Sequence, residues 1–597
     1  MAEKKAYLSF SLGPVQSFIA TARTVRDLWS GSYLLSWLTA HAAVSVYEMS
    51  KGEAQFIEPD IQKNPIFKFT LDKSQKKPTE SEIELLLIPT IPNRFIVEVD
   101  AVQADTVRKQ IEQAVNEEWK KISDTVRNFL KGKWDNEYPK WDEQWDKQIK
   151  HCWDVQISVL PVCDGDVELA KKIGFSKDEN DLFKARMFLL GQLNAAQKQI
   201  RYYPPHEEKD CNRPKCALCG ERSQEIPQGI SKDKWKETAK LTADRGERLQ
   251  TKDCFCAVEL VKRFAWAHYF SEEQFKCEPH KRRVWDTYTI AAFGWLKKLI
   301  PGEKSIFDWV VKCENWNGTW LSWKSPGSHD KDEYEDCPET VFDKIKGLRK
   351  TAKEKKFPEQ PPSYYAILML DGDSMGEKLI SADEKKRKEI SKKLTSFAMN
   401  DVPKVVKKHL GQLIYAGGDD VLAMLPCETA LICSRDISSK FGGLEPGFTL
   451  SGGIAVVHVK HDLQDALDIA RKAEKEAKNA GRNRLALSIV KRSGAPKTAI
   501  IGWNQIEKFN ALLRKFSDEK ASDRWLYQLA EKWNTLEQDF HMLNCEFFRL
   551  LKHSEKAPKK EAKSFWEEIT KEPTEQRRNA LILMEHASFL ARNKKED

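Results

Sequence analysis

The sequence predicts an α+β protein with two ferredoxin-like βαββαβ units, a helical domain with a cysteine cluster between them, and a C-terminal helical bundle. Two observations support this prediction. Strand and helix patterns follow the order βαββαβ near the N-terminus, and the same order recurs after residue 363. From about Gln505 onward only helical periodicity remains. We therefore place four domains at residues 1–165, 166–330, 331–504 and 505–597.

Composition supports a globular protein of several domains. The chain has 597 residues, of which 41% are hydrophobic and 31% charged, so it is too long for one core and too apolar to be disordered. The net charge of +8 is mild for this size. The apolar run Tyr364–Leu370 is far too short to cross a bilayer, and the N-terminal residues do not resemble a signal peptide. We expect a cytoplasmic protein without membrane contact, whose scattered cysteines are mostly reduced.

The first unit follows from hydrophobic patterning. Its expected strands and helices are, in chain order, Leu8–Leu12, Val25–Tyr47, Ile66–Leu71, Phe95–Val99, Ala104–Leu130 and Val155–Pro161, the second and fifth being helices. An amphipathic helix from about Asp181 to Tyr202 and further helix up to Leu299 follow. Residues 324–363 are polar and contain several prolines, which predicts a domain boundary there.

The second unit has clearer signals. Its expected strands are Tyr364–Leu370, Gln412–Tyr415, Val421–Leu425, Thr449–Val457 and Arg484–Val490. The expected helices between them are Asp383–His409, Glu428–Phe441 and Asp462–Ala480. The chain thus contains two divergent copies of one fold.

Acidic residues end two strands of the second copy. Asp371-Gly372-Asp373 closes its first strand, and Gly417-Gly418-Asp419-Asp420 has the composition of a tight hairpin with carboxylates at its tip. A right-handed crossover makes the first two strands run the same way, so both acidic segments fall on one edge of the sheet. We expect all four carboxylates to lie together and, because they repel one another, to require Mg²⁺ or Mn²⁺. Asp373 is expected farther from the ions than the other three, or at the entry of the site, as a nucleotide contact. Two such ions would suit nucleotidyl transfer.

Two further segments suit a nucleotide. Ser374, Met375 and Gly376 form a strand-to-helix turn whose free backbone N–H groups could receive phosphate. Lys478 and Arg482, near the end of the last helix, could neutralise a triphosphate. Taken alone, Gly-Gly-Asp-Asp could be a solvated hairpin turn, but the acidic pair one crossover earlier makes that interpretation much weaker.

Cysteines cluster in the middle of the chain. Cys216 and Cys219 have the spacing of half a zinc site, and Gly220 lets the chain turn around an ion. Cys254 and Cys256 lie where the second half is expected. The alternative is a set of reduced surface thiols.

The residues quoted above carry a family resemblance. The segment from Asp371 through Arg484 resembles the palm of GGDEF-type nucleotide cyclases. The string Phe10-Ser-Leu-Gly-Pro-Val-Gln-Ser-Phe-Ile19, with Arg26-Asp-Leu-Trp-Ser-Gly-Ser-Tyr33, resembles the large polymerase-like subunit of type III-B CRISPR effector (Cmr) complexes. This resemblance implies an inactive palm, a zinc-bearing helical region, an active palm and a C-terminal helical domain that contacts a small subunit.

The resemblance also implies an activity and partners. It implies synthesis of cyclic oligoadenylate from ATP, with Asp371, Asp419 and Asp420 holding two Mg²⁺ or Mn²⁺ ions. The implied partners are a RAMP-fold subunit, a small helical subunit, guide RNA and target RNA, whose pairing switches synthesis on. In the family a second Cys-x-x-Cys completes the zinc site, but position 259 here is Glu259. The fourth ligand could be Cys254, which we prefer, or Cys211 or Glu259.

The first copy lacks acids at the end of its first strand, so we expect no metal site there. Ser30 and Ser32, around Gly31, could contact a nucleotide or serve helix packing. Many relatives carry an HD nuclease domain before the first palm. We expect none here, since only seven residues precede the first strand and neither His329-Asp330 nor His461-Asp462 has companion histidines at metal-binding spacing.

Other patterns leave alternatives open. Trp134, Trp141, Trp145 and Trp153 could stack on single-stranded nucleic acid, although packing is the more common role. Basic runs at 353–356, 385–388 and 556–560 could be solvated faces or RNA contacts. For the whole protein, the alternatives to a cyclase are a non-catalytic scaffold subunit, an enzyme that adenylates another small acceptor, and an autonomous diguanylate cyclase. The last is weakened because Asp420 is not followed by Glu-Phe.

Overall fold

Two β-sheets with helices packed around them form the framework of the protein, which is the mixed α+β class expected. The computed structural model describes residues 5–592, except 73, 75, 134–138, 177–178, 201–213, 227–248, 250–252, 278–283, 301–315, 327–336, 493, 518–520 and 571–576. Trp134, Cys211, His329 and Asp330 lie outside the described residues. No described helix is both long and apolar enough to span a membrane.

The N-terminal sheet has four antiparallel strands in the order β2-β3-β1-β4. These strands are β1 (Lys5–Gly13), β2 (Gln55–Glu58), β3 (Arg94–Asp100) and β4 (Asp154–Pro161). The helices of this unit are Gln16–Ala20, Val25–Met49, Pro65–Leu71, Glu80–Leu86, Ala104–Lys131 and Pro139–Lys150. Strand β1 is buried on both faces: Leu8 and Phe10 belong to the main core, whereas Tyr7 packs with a smaller cluster that includes Phe183.

The strand expected at Ile66–Leu71 is wrong, because residues Pro65–Leu71 form a helix. Asn64 caps that helix by accepting a hydrogen bond from the backbone N–H of Ile66 at 2.9 Å, and Pro65 occupies its first turn. The edge strand is instead β2, which is only four residues long. The apolar run alone could not distinguish the two states because it is short.

Helices occupy the middle of the chain. They are Asp166–Lys172, Leu182–Gln199, Ala257–Ala265, the π-helical Trp266–Gln274, Thr287–Leu299, the 3₁₀ turn Gly318–Ser322 and Glu339–Glu354. The last of these lies inside the segment where the sequence predicts a linker. It is amphipathic and buries Val341, Phe342 and Ile345.

The C-terminal sheet has six strands in the order β10-β9-β8-β5-β7-β6. They are β5 (Tyr364–Gly372), β6 (Gln412–Gly417), β7 (Asp420–Pro426), β8 (Leu450–His458), β9 (Arg484–Ile489) and β10 (Lys497–Gly502). The order β8-β5-β7-β6 repeats that of the N-terminal sheet, since both place the first strand of the unit between the third and the fourth. Strand β10 was not expected from the sequence.

The helices around this sheet are Met375–Ser381, Glu384–Ser396, the π-helical Phe397–Asp401, Val402–Lys408, Cys427–Gly442 and Leu463–Asn479. The single helix expected over Asp383–His409 is therefore interrupted by a π-helical turn. Pro403 lies just after that turn, near the start of Val402–Lys408, and lacks the N–H that a continuous α-helix needs.

The C-terminal region is helical, as expected. The described helices are Ile506–Phe516, Arg524–Leu536, Phe540–His553, Lys559–Ile569 and Arg577–Arg592. Their core shares a hydrophobic cluster with the C-terminal sheet, and within it Phe547 stacks on Trp566 with ring centroids 4.2 Å apart.

Direct contacts join the two sheet units. Arg387 forms an ion pair with Glu58 at 2.9 Å, with side chains 6% and 15% exposed. The backbone N–H of Ala416, in β6, donates to the carbonyl of Pro89 at 3.1 Å. These contacts bring the loop before β3 against the edge strand of the C-terminal sheet.

The described tryptophans serve packing. Trp141 and Trp145 are 1% and 0% exposed, and their indole N–H groups donate to the carbonyl of Glu225 and to Ser123 Oγ. Trp153 packs on Phe18 with ring centroids 4.6 Å apart. The structure thus favours packing over nucleic-acid stacking at these three positions.

Candidate functional site

A two-residue hairpin turn presents the acidic side chains between β6 and β7. Gly417 pairs with Asp420 across the hairpin, leaving Gly418 and Asp419 at its tip. Gly418 has φ +83°, the conformation that a type II′ turn requires at its first central position and that glycine adopts without strain.

Sheet pairing brings this turn beside the end of β5. Leu370 of β5 pairs with Val421 of β7, so Asp371 and Asp420 come next along the two strands. Their carboxyl groups lie close enough for Asp371 to raise the pKa of Asp420. A Cβ atom added to Gly372 would lie 2.9 Å from Oδ2 of Asp419, so this glycine allows the close approach. The structure therefore brings Asp371, Asp419 and Asp420 together.

Lys478 lies against this acidic group. Its Nζ is 2.5 Å from Oδ2 of Asp371 and 2.7 Å from Oε1 of Glu474, one helical turn earlier. The helix Leu463–Asn479, capped at its start by Asp462, packs across β8 and β9 and carries the ammonium to the end of β5.

Asp373 is not part of the group. Its carboxylate is 3% exposed and accepts hydrogen bonds from Thr449 Oγ1 at 2.8 Å, Ser451 Oγ at 2.6 Å and the backbone N–H of Asn483 at 3.0 Å. The expectation that four carboxylates converge is corrected to three. Asp373 instead ties the loop after β5 to β8 and to the loop before β9.

The close approach of the three carboxylates raises the pKa values of Asp419 and Asp420. Burial and the charge of Asp371 raise the pKa of Asp419 to about 6. Asp420 reaches solvent but is crowded by protein atoms, and this partial desolvation, with the charges of Asp419 and Asp371, raises the pKa of Asp420 well above its ordinary value. Bound cations would relieve this repulsion, so the residues fit a divalent-metal site.

The carboxylate oxygens of the acidic group do not all lie within 4.8 Å of one another. In the described ranges, the one set of three cysteine, histidine or acidic side chains whose ligand atoms all lie within 4.8 Å of one another is the cysteine cluster. The oxygens of Asp371, Asp419 and Asp420 are thus more widely spaced, and Lys478 holds Asp371.

Arg94 of the N-terminal sheet also acts on this site, and the sequence analysis missed it. Its positive charge lowers the pKa of Asp419, opposing the effects of burial and Asp371. The hydrogen bond between Ala416 and Pro89 brings the start of β3 to the hairpin. No local pattern marks Arg94, because its role depends on how the two sheet units dock.

The remaining candidate nucleotide contacts lie after β5 and before β9. Ser374 has φ +54° and precedes the short helix that begins at Met375, which is buried, whereas Gly376 is exposed. Arg482, at φ +61°, is exposed in the loop before β9. No contact of its side chain with the acidic group is observed.

Ser30 and Ser32 are not brought to the acidic group. They lie in the helix Val25–Met49 and are 1% and 0% exposed, and Ser32 Oγ donates to the carbonyl of Leu28 at 3.4 Å. A Cβ added to Gly31 would lie 3.0 Å from Cε of Lys262, so small residues here admit a neighbouring helix. The structure favours helix packing as their role.

Three of the predicted zinc ligands form a second candidate site. The ligand atoms of Cys216, Cys219 and Cys256 lie within 4.8 Å of one another, with the sulfurs of Cys219 and Cys256 3.9 Å apart. Gly220 turns the chain at φ +67°. Hydrogen bonds from Cys216 and Cys256 lower the pKa of Cys219 far below its ordinary value, whereas burial raises the pKa of Cys256, so the group holds a single thiolate when no metal is bound.

Neither other described candidate completes this set. Cys254 is outside the group, and its backbone carbonyl accepts from the N–H of Ala217 at 2.8 Å. Glu259 is 3% exposed and is engaged by Thr21 Oγ1 and Lys262 Nζ, each at 3.0 Å. Arg263 likewise binds Asp27 through two hydrogen bonds. Glu259 thus belongs to the polar contacts that fasten the helix Ala257–Ala265 to the N-terminal segment.

The chain is similar to known proteins in both sheet units. Residues 364–486 match a family model described as Cas10/Cmr2, second palm domain, and residues 7–124 match CRISPR-associated protein Cmr2, N-terminal. Both sheet units thus match models of the Cas10/Cmr2 family. The second-palm match includes all three converging acids and Lys478, while the N-terminal match includes Arg94.

Individual proteins are similar to this chain over most of its length. The CRISPR system Cmr subunit Cmr2 of Pyrococcus furiosus is 27% identical over 651 aligned positions, which cover 94% of this chain and 70% of the relative. A type III-B Cmr-beta structure in the apo state aligns with a TM-score of 0.66 at 15% identity, over 94% of this chain and 79% of that one. Cmr-beta bound to cognate target RNA aligns at 0.61 and 14% identity, over 94% and 80%. These two likenesses are of fold.

Proposed function

We propose that this chain is the nucleotidyltransferase subunit of an RNA-guided type III-B complex and converts ATP to cyclic oligoadenylate. The observation that carries the proposal is the convergence of Asp371, Asp419 and Asp420 beside Lys478 in the region that matches the second palm. The raised pKa values of Asp419 and Asp420 support a site built to hold cations, because a turn without a ligand gains nothing from this repulsion.

Asp371 and Asp420 would hold two Mg²⁺ or Mn²⁺ ions, with Asp419 assisting. When bound, such ions activate an attacking hydroxyl and stabilise the charge on the departing pyrophosphate. The three carboxylates set the place where the ribose 3′-oxygen of one nucleotide meets the α-phosphorus of the next. The new bond forms between these atoms, while the bond from α-phosphorus to the bridging oxygen of pyrophosphate breaks.

Basic side chains would balance the charge of the triphosphate. Lys478 already neutralises part of the acidic group and is within reach of a phosphate that approaches Asp371. Arg94 adds positive charge from the N-terminal sheet, whose first strand ends at Gly13 without acids. We therefore assign the N-terminal sheet as an inactive palm that faces the active one.

The chain would work within a larger assembly and would contain a structural metal ion. The structural relatives come from Cmr-beta, one of them bound to cognate target RNA, and this supports membership of a complex with other Cmr subunits, guide RNA and target RNA. Cys216, Cys219 and Cys256 would hold a structural Zn²⁺, which favours thiolate ligands and would contribute to local folding.

The deciding experiment is the double variant D419A/D420A, assembled with guide RNA and its partners and supplied with ATP, Mg²⁺ and target RNA. We expect cyclic product, identified by mass spectrometry, to disappear while assembly is retained, because the turn lies outside the hydrophobic core. D465A/D468A is a matched control, since these aspartates are 59% and 56% exposed on the helix Leu463–Asn479.

Other outcomes would redirect the proposal. Near-normal ATP conversion by D419A/D420A would show that the active site does not include this turn. An AMP adduct of another small molecule would retain the site but change the acceptor. Absence of ATP conversion by the wild-type complex with target RNA would support the scaffold alternative.

A further inference from the structure

A stripe of lysines runs along the helix Glu339–Glu354. Lys346, Lys350 and Lys353 are spaced at i, i+4 and i+7, which places them on one side of the helix. All three are exposed, with 59% of the Lys346 side chain and 75% of the Lys353 side chain accessible. Val341 and Ile345 lie on the other side of the helix and are buried in the core, so the core sets the orientation of the stripe. Phe342, one turn before Lys346, is also buried, and the Lys346 ammonium lies 4.9 Å from the centre of its ring.

Further lysines extend the stripe. Lys355 and Lys356 follow the helix, and Lys297 and Lys298 end the neighbouring helix Thr287–Leu299; all four are exposed. The Nζ of Lys355 donates to the carbonyl of Lys298 at 3.2 Å, which joins the two segments. We call these seven residues the lysine face.

Among the described residues, three acidic side chains pair with the lysine face. Lys346 pairs with Asp343 at 3.3 Å, Lys353 with Glu359 at 3.7 Å and Lys298 with Glu428 at 3.6 Å. The first two pairs are exposed, and exposed pairs of this kind are weak and screened by salt. Lys350 and Lys356 have no acidic partner among the described side chains. The face therefore has positive charge available for a polyanion.

The residue composition of the lysine face indicates which class of partner it binds. Protein interfaces are poor in lysine and rich in aromatic residues, and membrane-surface helices expose apolar side chains. Within 284–300 and 337–357 no large hydrophobic residue is exposed. Flexible ammonium groups without apolar anchors suit a chain of phosphates, whose binding depends on charge.

We propose that the lysine face binds the phosphate backbone of single-stranded RNA. This contact is separate from the acidic group and needs no nucleotidyl transfer. Only the choice of RNA over DNA rests on the proposed function, because lysine contacts to phosphate do not distinguish the sugars.

Charge reversal of the stripe tests the proposal. The full chain and its K346E/K350E/K353E variant are titrated into a fluorescently labelled 20-nucleotide RNA and into DNA of the same sequence at several salt concentrations. We expect the Kd for RNA to rise at least tenfold and the slope of log K against log salt to fall by about 2, at about 0.7 per lost phosphate contact. The triple variant K508E/K532E/K563E changes net charge equally on exposed C-terminal residues outside the basic runs and should alter the Kd by less than about twofold.

Three results would overturn the proposal. Equal weakening by both triple variants would show that net charge alone governs binding, and an unchanged Kd in the stripe variant would exclude the face. Binding of the wild type to vesicles of anionic lipid, lost in the stripe variant while RNA binding persists, would assign the face to a membrane. An unchanged circular dichroism spectrum and melting temperature of the stripe variant verify its fold independently of RNA binding, whereas loss of ATP conversion in D419A/D420A with normal RNA binding separates the two proposals.

Discussion

Lys478 and Asp371 form an ion pair at the end of the central strand β5, with Nζ 2.5 Å from Oδ2. Burial of the ammonium opposes its charge, but hydrogen bonds to Asp371 and Glu474 raise the pKa of Lys478. The ammonium thus provides, next to one proposed metal ligand, positive charge that would otherwise be missing.

Replacement of Lys478 by methionine tests this relationship. We expect K478M to lower kcat/KM for ATP at least tenfold, about 1.4 kcal/mol of transition-state stabilisation, because the triphosphate loses a partner. K478R should retain part of the activity, since it keeps the charge. Initial rates across ATP concentrations measure this, and an unchanged kcat/KM in K478M would show that the ion pair is purely structural.

The pKa of Asp419, raised from 3.8 to about 6, predicts how stability depends on pH without metal. Between these values the unfolded state loses the proton that the folded state keeps, so folding stability falls as pH rises from about 4 to 6 and the penalty persists above. We expect D419N to melt about 2 °C higher than wild type at pH 8 and nearly equally at pH 4, with EDTA present.

A divalent cation should make the wild type melt at a higher temperature than the variants that lack these carboxylates. Mn²⁺ should raise the melting temperature of the wild type at pH 8 but have little effect on D419N/D420N, because ligand binding stabilises only the state that holds the site. Thermal scans with and without Mn²⁺ at both pH values provide the measurement. A wild type that melts identically with EDTA and Mn²⁺ would count against cation binding here.

Arg94 should support the reaction from the opposite sheet. We expect R94A to raise KM for ATP several-fold and to raise the pKa of Asp419 further, because the cation that lowers it is lost. R108A, which removes an exposed arginine from the helix Ala104–Lys131, is the matched control. Steady-state rates compare the variants, and equal KM values for R94A and R108A would contradict a role for Arg94.

The cysteine cluster predicts a contrast between neighbouring positions. C256S should lose bound zinc and unfold at a lower temperature, since Cys256 belongs to the group of three thiols. C254S should keep its zinc because Cys254 lies outside that group. Elemental analysis of protein purified without chelator decides the matter: well under one zinc per wild-type chain would refute the site, and loss of zinc in C254S would restore Cys254 as the fourth ligand.

Local sequence determined much of the fold and the acidic turn of the site. The continuous apolar runs of β5, β7 and β8 and the long amphipathic helices were predictable because each pattern spans many residues. The Gly417–Asp420 turn was predictable because a tight hairpin needs glycine at positive φ. The predictions for short segments were wrong or incomplete. Residues 66–71 are helical because Asn64 caps the helix and Pro65 begins it, and β10 was missed because it forms by pairing with β9.

Only the tertiary structure decided how the site is composed. Asp373 follows the same pattern as Asp371, yet hydrogen bonds from β8 remove it from the acidic group. Arg94 and Lys478 reach the acids from β3 and from a distant helix, and Glu259 and Cys254 are excluded from the thiol group by contacts made elsewhere in the chain. Sequence specifies turns and periodicity because these depend on neighbours, whereas the meeting of side chains depends on packing between segments hundreds of residues apart.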